Sequence, residues 1–344
     1  MKNLSTIIFA LLITLSVQSQ DADGIESILL SGTEDASKLT EAYINPAMKG
    51  LIYGMNNGWY HTAKTHKKLG FDITIGLNAA IIPTKDEIFK FSDLGLSSST
   101  TSTSSTGATV AGENSLEAPV TYSDTIDGEN VSATFNMPGG VKDDLPLNAV
   151  PTPNLQLTLG LPYKTDVMIR LVPEVGSEDV KGNLFGIGLK KDITSIFGTF
   201  EKLPLNISIL GAFTNMNVNY DIQNDSSIQG TNQEAEFTLN AYTIQAIASL
   251  NFPVINIYGG LGYNGGTSTL KLKGTYELEY NTSNPAPNDT KTIIVTNPLS
   301  LDFNASGFRT TLGARLSLGP IKIFGDYTLQ EYNTVTGGIA FSFR

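Results

Sequence analysis

The chain has 344 residues, no cysteine and a formal net charge of −11. The absence of cysteine excludes disulfides, thiolate metal sites and a lipid-modified lipoprotein terminus. The acidic balance argues against a nucleic-acid partner, because binding to phosphate backbones relies on basic surfaces.

The first residues have the features of a secretory signal peptide. Lys2 supplies a positive start, and an apolar core follows over residues 7–17. Ser19 places a small side chain before Gln20, so we predict a signal peptide over residues 1–19 that is cleaved near Ser19-Gln20. The apolar core is too short to span a membrane as a helix, which indicates export.

Residues 20–70 have the spacing of short helices and predict an N-terminal plug. Ser31 and Glu34 form a capping box, which predicts that a helix begins there. Asn45-Pro46 is a strong start signal for a second helix, with Asn as the N-cap and Pro at the first helical position. Asn57-Gly58 predicts where that helix ends.

The remaining chain, residues 71–344, alternates apolar and polar residues in long segments. The first segment, Phe71 to Ile81, has the length of a tilted membrane-spanning strand. The last, residues 335–344, alternates to its end, and an open apolar edge of this kind would invite aggregation. Closing that strand against the first removes the edge, and a barrel in a membrane needs an apolar outer face.

Short turns near 162–164, 251–253 and 319–320 alternate with long polar loops. This asymmetry is typical of outer-membrane barrels with periplasmic turns and external loops. We therefore predict an all-β fold, an antiparallel transmembrane β-barrel of about 10–14 strands with a short helical N-terminal plug, in the bacterial outer membrane. The strand number is even if both chain ends are periplasmic. A soluble β-sandwich is the competing architecture.

Residues 83–150 interrupt the alternation and predict a long external loop. Residues 97–105 are almost entirely Ser and Thr, as in hydrated loops. Asp127-Gly128 is a hairpin signal within this region.

Charged residues that alternate with the apolar positions are expected to face the lumen. They either pair across the interior as a structural network or anchor the plug and bias what passes. The predicted lumenal charges are Asp72, Asp166, Arg170, Arg309, Arg315, Lys322 and Asp326.

The sequence has no pattern that favours catalysis. His61 and His66 are the two histidines, and no serine lies in a Gly-x-Ser-x-Gly elbow. A spacing of five residues does not place both histidines on one helical face, so we expect no metal site. We predict that the protein is not an enzyme and has no cofactor.

The plug segment carries a resemblance to a known family. Glu34-Asp35-Ala36 leads to Tyr43-Ile44-Asn45-Pro46-Ala47-Met48, just before the first strand. This arrangement resembles the N-terminal hatch of FadL/TodX-type outer-membrane transporters, in which an Asn-Pro-Ala signature lies in a helical plug. It also resembles outer-membrane β-barrel proteins of Bacteroidetes. Family barrels typically have fourteen strands, whereas ten can be placed here.

The resemblance implies passive uptake of a hydrophobic small molecule, a fatty acid or hydrocarbon, past the hatch. Asn45, Pro46 and Ala47 would then form the hatch motif. The candidate ligand-lining residues, which plug packing explains equally, are Met48, Leu51, Ile52, Met55, Trp59 and Tyr60.

The alternative is a non-transporting surface scaffold or a secretion-complex barrel that makes its contacts through 83–150. Outer-membrane lipid and, during biogenesis, the barrel-assembly machinery are the expected partners.

Overall fold

The structure is a computed structural model that describes residues 25–177, 179–222, 229–284 and 289–343. The predicted signal peptide and its cleavage at Ser19-Gln20 lie outside the described residues.

The described residues form one α-helix, several short 3₁₀ segments and sixteen strands. The 3₁₀ segments are Ile25–Ser31, Thr84–Asp86, Phe91–Asp93, Lys142–Asp144, Pro146–Asn148 and Thr194–Lys202, and helix α1 is Thr33–Met55. The strands are β1 (Phe71–Ile81), β2 (Ile88–Lys90), β3 (Thr100–Ser102), β4 (Thr106–Ala108), β5 (Ala118–Ile126), β6 (Glu129–Met137), β7 (Ala149–Leu161), β8 (Thr165–Gly176), β9 (Val180–Asp192), β10 (Leu205–Asp221), β11 (Gly230–Asn251), β12 (Ile255–Thr282), β13 (Thr290–Thr296), β14 (Leu299–Leu318), β15 (Ile321–Leu329) and β16 (Thr334–Phe343).

Ten of these strands close into an antiparallel ring. The order around the ring is β1-β7-β8-β9-β10-β11-β12-β14-β15-β16, and β16 pairs back to β1. Phe71 of β1 pairs with Phe343 on one side and with Leu159 of β7 on the other. The predicted barrel and its plug are confirmed, and ten strands is the lower limit of the predicted range.

Side chains alternate between the two faces of the ring as the sequence pattern requires. On β1, Ile73, Ile75 and Leu77 are exposed on the outer face, whereas Asp72 and Asn78 are buried inside. Period-2 alternation places one residue set on each face of a strand, so the outer surface is apolar, as in membrane-spanning barrels, and the lumen holds the charged side chains. Within the described residues, no helix combines the length and the apolar character needed to cross a membrane.

The two ends of the barrel differ. At one, the short-turn end, strands are joined by residues 162–164, 252–254 and 319–320 or by the 3₁₀ segment between β9 and β10. At the other, the long-loop end, β12 continues beyond the ring and pairs with β13 and β6, which extend through β5 to β3. We call β3, β5, β6, β13 and residues 273–282 of β12 the cap.

The cap corrects the expectation of one long loop over 83–150. The hairpin at Asp127-Gly128 is confirmed, with φ of 52° and 82° at its two central residues. The Ser/Thr run, however, contains β3, which pairs with β5. Thr favours strands wherever a neighbouring strand offers a ladder, so the run folds against the hairpin.

The plug contains one helix where two were expected. Gly32 is the N-cap of α1, and the Ser31 hydroxyl donates to the Ile28 carbonyl oxygen (2.6 Å), so the predicted capping box is wrong. Asn45-Pro46 lies inside the helix. Pro46 removes one helical hydrogen bond, but packing of the surrounding protein against α1 supports a continuous helix. The predicted end at Asn57-Gly58 is confirmed.

The plug segment, which we define as residues 25–70, passes through the lumen once. Its 3₁₀ segment Ile25–Ser31 packs against β5, β6 and β12 at the long-loop end. Its last residues reach the short-turn end, where the Leu69 amide donates to the Gly160 carbonyl oxygen. The two ends of the described chain, Ile25 and Phe343, therefore lie at opposite ends of the barrel, which differs from the assumption that both chain ends lie on one side.

Candidate functional site

The C-terminal end of α1 lies in the barrel lumen with its last carbonyl groups fully bonded. A helix leaves its final carbonyl oxygens without partners inside the helix. Here each of the last four accepts a hydrogen bond from a side chain: Ile52 from Asn56 (3.0 Å), Tyr53 from Asn57 (2.7 Å), Gly54 from Asn78 (3.1 Å) and Met55 from Arg170 (3.2 Å). The lumen is therefore built to receive this helix end.

Two buried arginines hold the chain just beyond the helix from opposite walls. Arg170 is on β8 and Arg309 on β14, five strands apart in the ring of ten. Arg170 also donates to the Asn57 carbonyl oxygen (2.8 Å), and Arg309 donates to that of Asn56 (2.7 Å). Cations are favoured at the negative end of a helix dipole. We call Arg170 and Arg309 the arginine clamp.

Trp59 packs directly beneath the clamp. The Arg170 guanidinium lies 3.9 Å from the centre of the indole ring, a cation–π contact. On the other side, β9 carries Gly186 and Gly188, where an added Cβ would approach the indole to 3.1 Å. The two glycines thus make space for the ring, which is 1% exposed.

A cluster of charged and imidazole side chains follows towards the short-turn end. Its contacts between side chains are His61 Nε2 to Asp72 Oδ2 (3.3 Å), His66 Nε2 to Asp72 Oδ2 (3.2 Å), His66 Nδ1 to Asp166 Oδ2 (3.1 Å), Lys190 Nζ to Asp166 Oδ2 (3.0 Å) and Arg315 Nη1 to His61 Nδ1 (3.0 Å). Both histidines belong to the plug segment, and the other four residues belong to the barrel wall. We call these six residues the lower cluster.

The lower cluster binds the plug to the wall. Lys190 also donates to the carbonyl oxygens of Thr62 and Lys64. Removing one partner of a buried ion pair leaves an uncompensated charge, at a cost of about 3–5 kcal/mol. Withdrawal of the whole segment would break several such contacts at once.

The predicted lumenal charges all point inward or to the barrel rim. Asp72, Asp166, Arg170, Arg309 and Arg315 contact the plug segment, as described above. Asp326 accepts a hydrogen bond from the Tyr258 hydroxyl (2.9 Å), and Lys322 donates to the Gly319 carbonyl oxygen at the short-turn end. Lys190 is not among the predicted lumenal charges. It directly follows the outward-facing Leu189, so the same alternation would have predicted that Lys190 faces the lumen.

The six candidate ligand-lining residues are distributed over three packed clusters. Met48 packs against the apolar core of the cap. Leu51, Ile52 and Met55 belong with Leu184, Met216 and Leu239 in the middle of the barrel. Trp59 and Tyr60 pack with Met168 and Tyr258 nearer the short-turn end. Their ligand-lining role stays a prediction.

A cleft of about 370 Å³ lies beside the hatch motif at the long-loop end. Asn45 and Pro46 line it on the helix, and Ile88, Phe89 and Leu94 form its apolar side. Ala47, the third residue of the motif, is partly buried. The cleft is the feature of this region that could take up a small molecule.

Comparison with solved structures returns outer-membrane β-barrels at low similarity. Ail, the attachment invasion locus protein of Yersinia pestis, is 9% identical, with 80% of this chain and 100% of that chain covered and a TM-score of 0.28. The translocator domain of the autotransporter NalP from Neisseria meningitidis is 10% identical (81% and 90% covered, TM-score 0.27). The transport unit of the autotransporter AIDA-I from Escherichia coli is 8% identical (91% and 99% covered, TM-score 0.27). TM-scores this low assign no function.

No curated protein matches the chain. One family model matches almost its full length, over residues 1–343, and is described as a family of unknown function, DUF6588. The chain belongs to the DUF6588 family.

Proposed function

We propose that the protein resides in the bacterial outer membrane, with its short turns in the periplasm and its cap outside the cell. The apolar outer face of the closed ring fits lipid, and the predicted signal peptide fits export. The difference between the two ends fits the usual arrangement of such barrels, in which loops are long outside and turns are short inside. Lipid is then the partner of the barrel wall.

Within that membrane, the geometry best supports a plugged barrel that presents the cap as a surface scaffold. The observation that carries this proposal is the arginine clamp, which holds the plug segment from two opposite walls. The lower cluster adds further buried contacts, so the plug is an integral part of the fold. We further propose that the protein performs no catalysis.

We propose that the plug closes the lumen to ions, and electrical recording in planar lipid bilayers tests this. The purified protein should insert without producing the steady ion conductance of an open pore. A stable conductance from the wild-type protein would contradict the proposal.

The scaffold role is tested by shortening the hairpin of β5 and β6 in a strain that depends on the protein. The shortened protein should still reach the outer membrane as a folded barrel but fail to restore the phenotype. Full restoration by the shortened protein would count against a role for the cap.

Hydrophobic uptake is the second candidate, and the cleft beside Asn45 and Pro46 favours it. Phe89 and Leu94 give this cleft an apolar wall, and small-molecule sites are mostly apolar with a few polar groups. Lys38 supplies a cation to the cleft, and Glu41, Asp86 and Asp93 supply carboxylates. A bound fatty acid or hydrocarbon would lie against the hatch motif.

Native mass spectrometry with lipid extraction tests this candidate. The wild-type protein should copurify with fatty acid or hydrocarbon, and the variant Leu94→Ser should lose it. The matched control Leu147→Ser changes a 68% exposed leucine away from the cleft and should retain the ligand. A wild-type protein that copurifies with no fatty acid or hydrocarbon would count against uptake and favour the scaffold role.

A further inference from the structure

The plug segment runs through the barrel from the long-loop end to the short-turn end. The segment begins at Ile25 in the long-loop end and reaches Gly70 at the short-turn end, where β1 turns back. The chain therefore enters the barrel from the end that carries the cap.

The outer end of the segment is built into the cap. Ile28 and Leu29 are buried in its apolar core together with Tyr276 and Leu278 of β12. Burying apolar side chains of this size contributes about 1.5–3 kcal/mol each. This end is thus held in place by the same hydrophobic effect that stabilises the cap.

Polar contacts at the start of α1 reinforce this position. The Asp35 carboxylate accepts hydrogen bonds from the Ser97 amide (3.0 Å) and the Ser97 hydroxyl (2.6 Å). Lys38 donates to the Gly95 carbonyl oxygen (2.8 Å). Glu34, one turn away, is exposed, so this end of the helix meets solvent.

The number of crossings then places the two ends of the described chain on opposite sides of the membrane. The plug segment crosses the barrel once inside the lumen, and the ten ring strands cross it ten times. An odd total separates the first described residue from the last. With the short turns in the periplasm, β16 ends in the periplasm and Ile25 lies outside the cell.

We infer that the plug segment threads the lumen from the outside inward, so that the barrel displays the start of α1 on the cell surface. This inference rests on the proposed outer-membrane location and orientation. The displayed element is the exposed side of the first turn of α1 at Glu34, because Ile28, Leu29 and Ser31 of the 3₁₀ segment are buried in the cap. A peptide joined before Ile25 would be displayed with it.

Single-cysteine labelling in whole cells tests the display, because the natural chain has no cysteine. Three variants place a thiol at exposed side chains: Glu34→Cys at the start of α1 (83% exposed), Asp127→Cys at the tip of the cap hairpin (84%) and Tyr163→Cys in a short turn (88%). The probe is a maleimide that cannot cross the outer membrane. We expect it to label Glu34→Cys and Asp127→Cys in intact cells, and Tyr163→Cys only after permeabilisation.

Two patterns overturn the inference while the outer-membrane location stands. In one, Asp127→Cys is labelled in intact cells but Glu34→Cys reacts only after permeabilisation. In the other, only Tyr163→Cys is labelled in intact cells, which means that the barrel is inverted. If the protein is absent from the outer-membrane fraction, the proposed function fails and the display fails with it.

An epitope peptide provides the second measurement, in case a cysteine variant does not fold. Inserted directly before Ile25, the epitope should bind antibody on intact cells. The same epitope inserted after Tyr163 should bind only after permeabilisation. Antibody binding to the first insertion only in permeabilised cells would contradict the display.

Discussion

At the scale of single residues, Gly58 shows how one backbone conformation positions the plug. Its φ of 71° lies in the left-handed region that favours glycine. An added Cβ would lie 2.8 Å from the Asn78 amide oxygen and 2.9 Å from the Asn154 amide nitrogen. The chain turns here from the helix end to Trp59, so the position of the indole depends on this glycine.

Gly58→Ala should therefore destabilise the folded protein. A left-handed conformation costs a residue with a Cβ about 1–2 kcal/mol, and the contact with Asn78 adds to that. Trp59 is the one tryptophan of the chain, so its fluorescence during denaturant unfolding measures the loss. Gly211→Ala, where an added Cβ meets open space, is the matched control and should leave the free energy of unfolding nearly unchanged.

Asp35 carries a second prediction at this scale. Burial by itself would raise the pKa of Asp35, but hydrogen bonds from Ser97 and Thr100 and the charge of Lys38 outweigh it and lower the pKa. A carboxyl with a lowered pKa stabilises the fold above its unfolded value of about 3.9. This stability is lost as the pH falls through the folded pKa.

Amide hydrogen exchange over residues 95–102 measures that loss. Exchange in the wild-type protein, corrected for intrinsic rates, should increase as the pH falls from about 5 to about 3. Asp35→Asn should already show the increased exchange at the higher pH. Asp93→Asn changes an exposed carboxylate of the same region and should behave as the wild type. An unchanged Asp35→Asn protein would contradict the role of this carboxylate.

At the scale of elements, α1 and the wall strands depend on each other. The helix ends inside the lumen, where its last carbonyl oxygens are met by side chains of β1 and β8 as well as by its own asparagines. Pro46 lies within the helix, yet the helix continues because protein surrounds it. The arginine clamp links the plug to two opposite walls of the barrel.

Arg170→Gln should loosen the plug before it unfolds the barrel. Arg170 donates three hydrogen bonds, to Gln156, Met55 and Asn57, and stacks on Trp59. Hydrogen bonds from charged groups contribute about 1.5–3 kcal/mol each, so we expect a loss of at least about 3 kcal/mol. Acrylamide quenching of Trp59 should rise, while far-ultraviolet circular dichroism keeps its strand signal.

The control for this variant is Lys68→Gln. It removes the same positive charge at an exposed position of the plug segment. Its Trp59 quenching should equal that of the wild type. Equal quenching in Arg170→Gln as well would mean that the clamp does not hold the plug.

At the scale of the whole molecule, ring closure between β1 and β16 makes the barrel a single cooperative unit. The Phe71 and Phe343 rings stack with their centroids 5.0 Å apart at this seam. Closure leaves no strand edge within the ring, which matters in lipid because no water is present to satisfy an open edge.

Removing residues 341–344 should prevent assembly of a stable barrel. The deletion unpairs β1 at Phe71, Asp72 and Ile73 and exposes their backbone groups to lipid. We expect the truncated protein to lose the faster electrophoretic band that unheated folded barrels give in detergent gels. Phe343→Leu keeps the pairing and an apolar outer face, so it should retain that band. A folded band from the truncated protein would show that the seam is dispensable.

Local patterns in the sequence were sufficient to predict the wall of the barrel. Alternation in β1 and β16 predicts both their length and their outward faces, because a strand repeats every two residues whatever its neighbours are. The same alternation predicts that the charged side chains of Asp72 and Arg170 face the lumen. Asn57-Gly58 marks a helix end through backbone preference alone, and Asp127-Gly128 marks a hairpin for the same reason.

Other features required the tertiary structure. Ser31 can cap a helix or bond back to Ile28, and the packing of Ile28 and Leu29 in the cap selects the second arrangement. The strands of 83–150 form because β12 extends beyond the ring and offers them a ladder. Neither outcome is encoded in the few residues around it.

The sequence by itself thus determined a closed barrel with an apolar exterior, a charged lumen and a helical plug, because these depend on periodicity and short-range preferences. Only the tertiary structure decided which way the plug runs, which side chains hold it and which end of the barrel carries the cap. Those features depend on contacts between residues far apart in the chain, such as Asn57 with Arg170 and Arg309. The spacing of residues along one strand or helix contains no information about such partners.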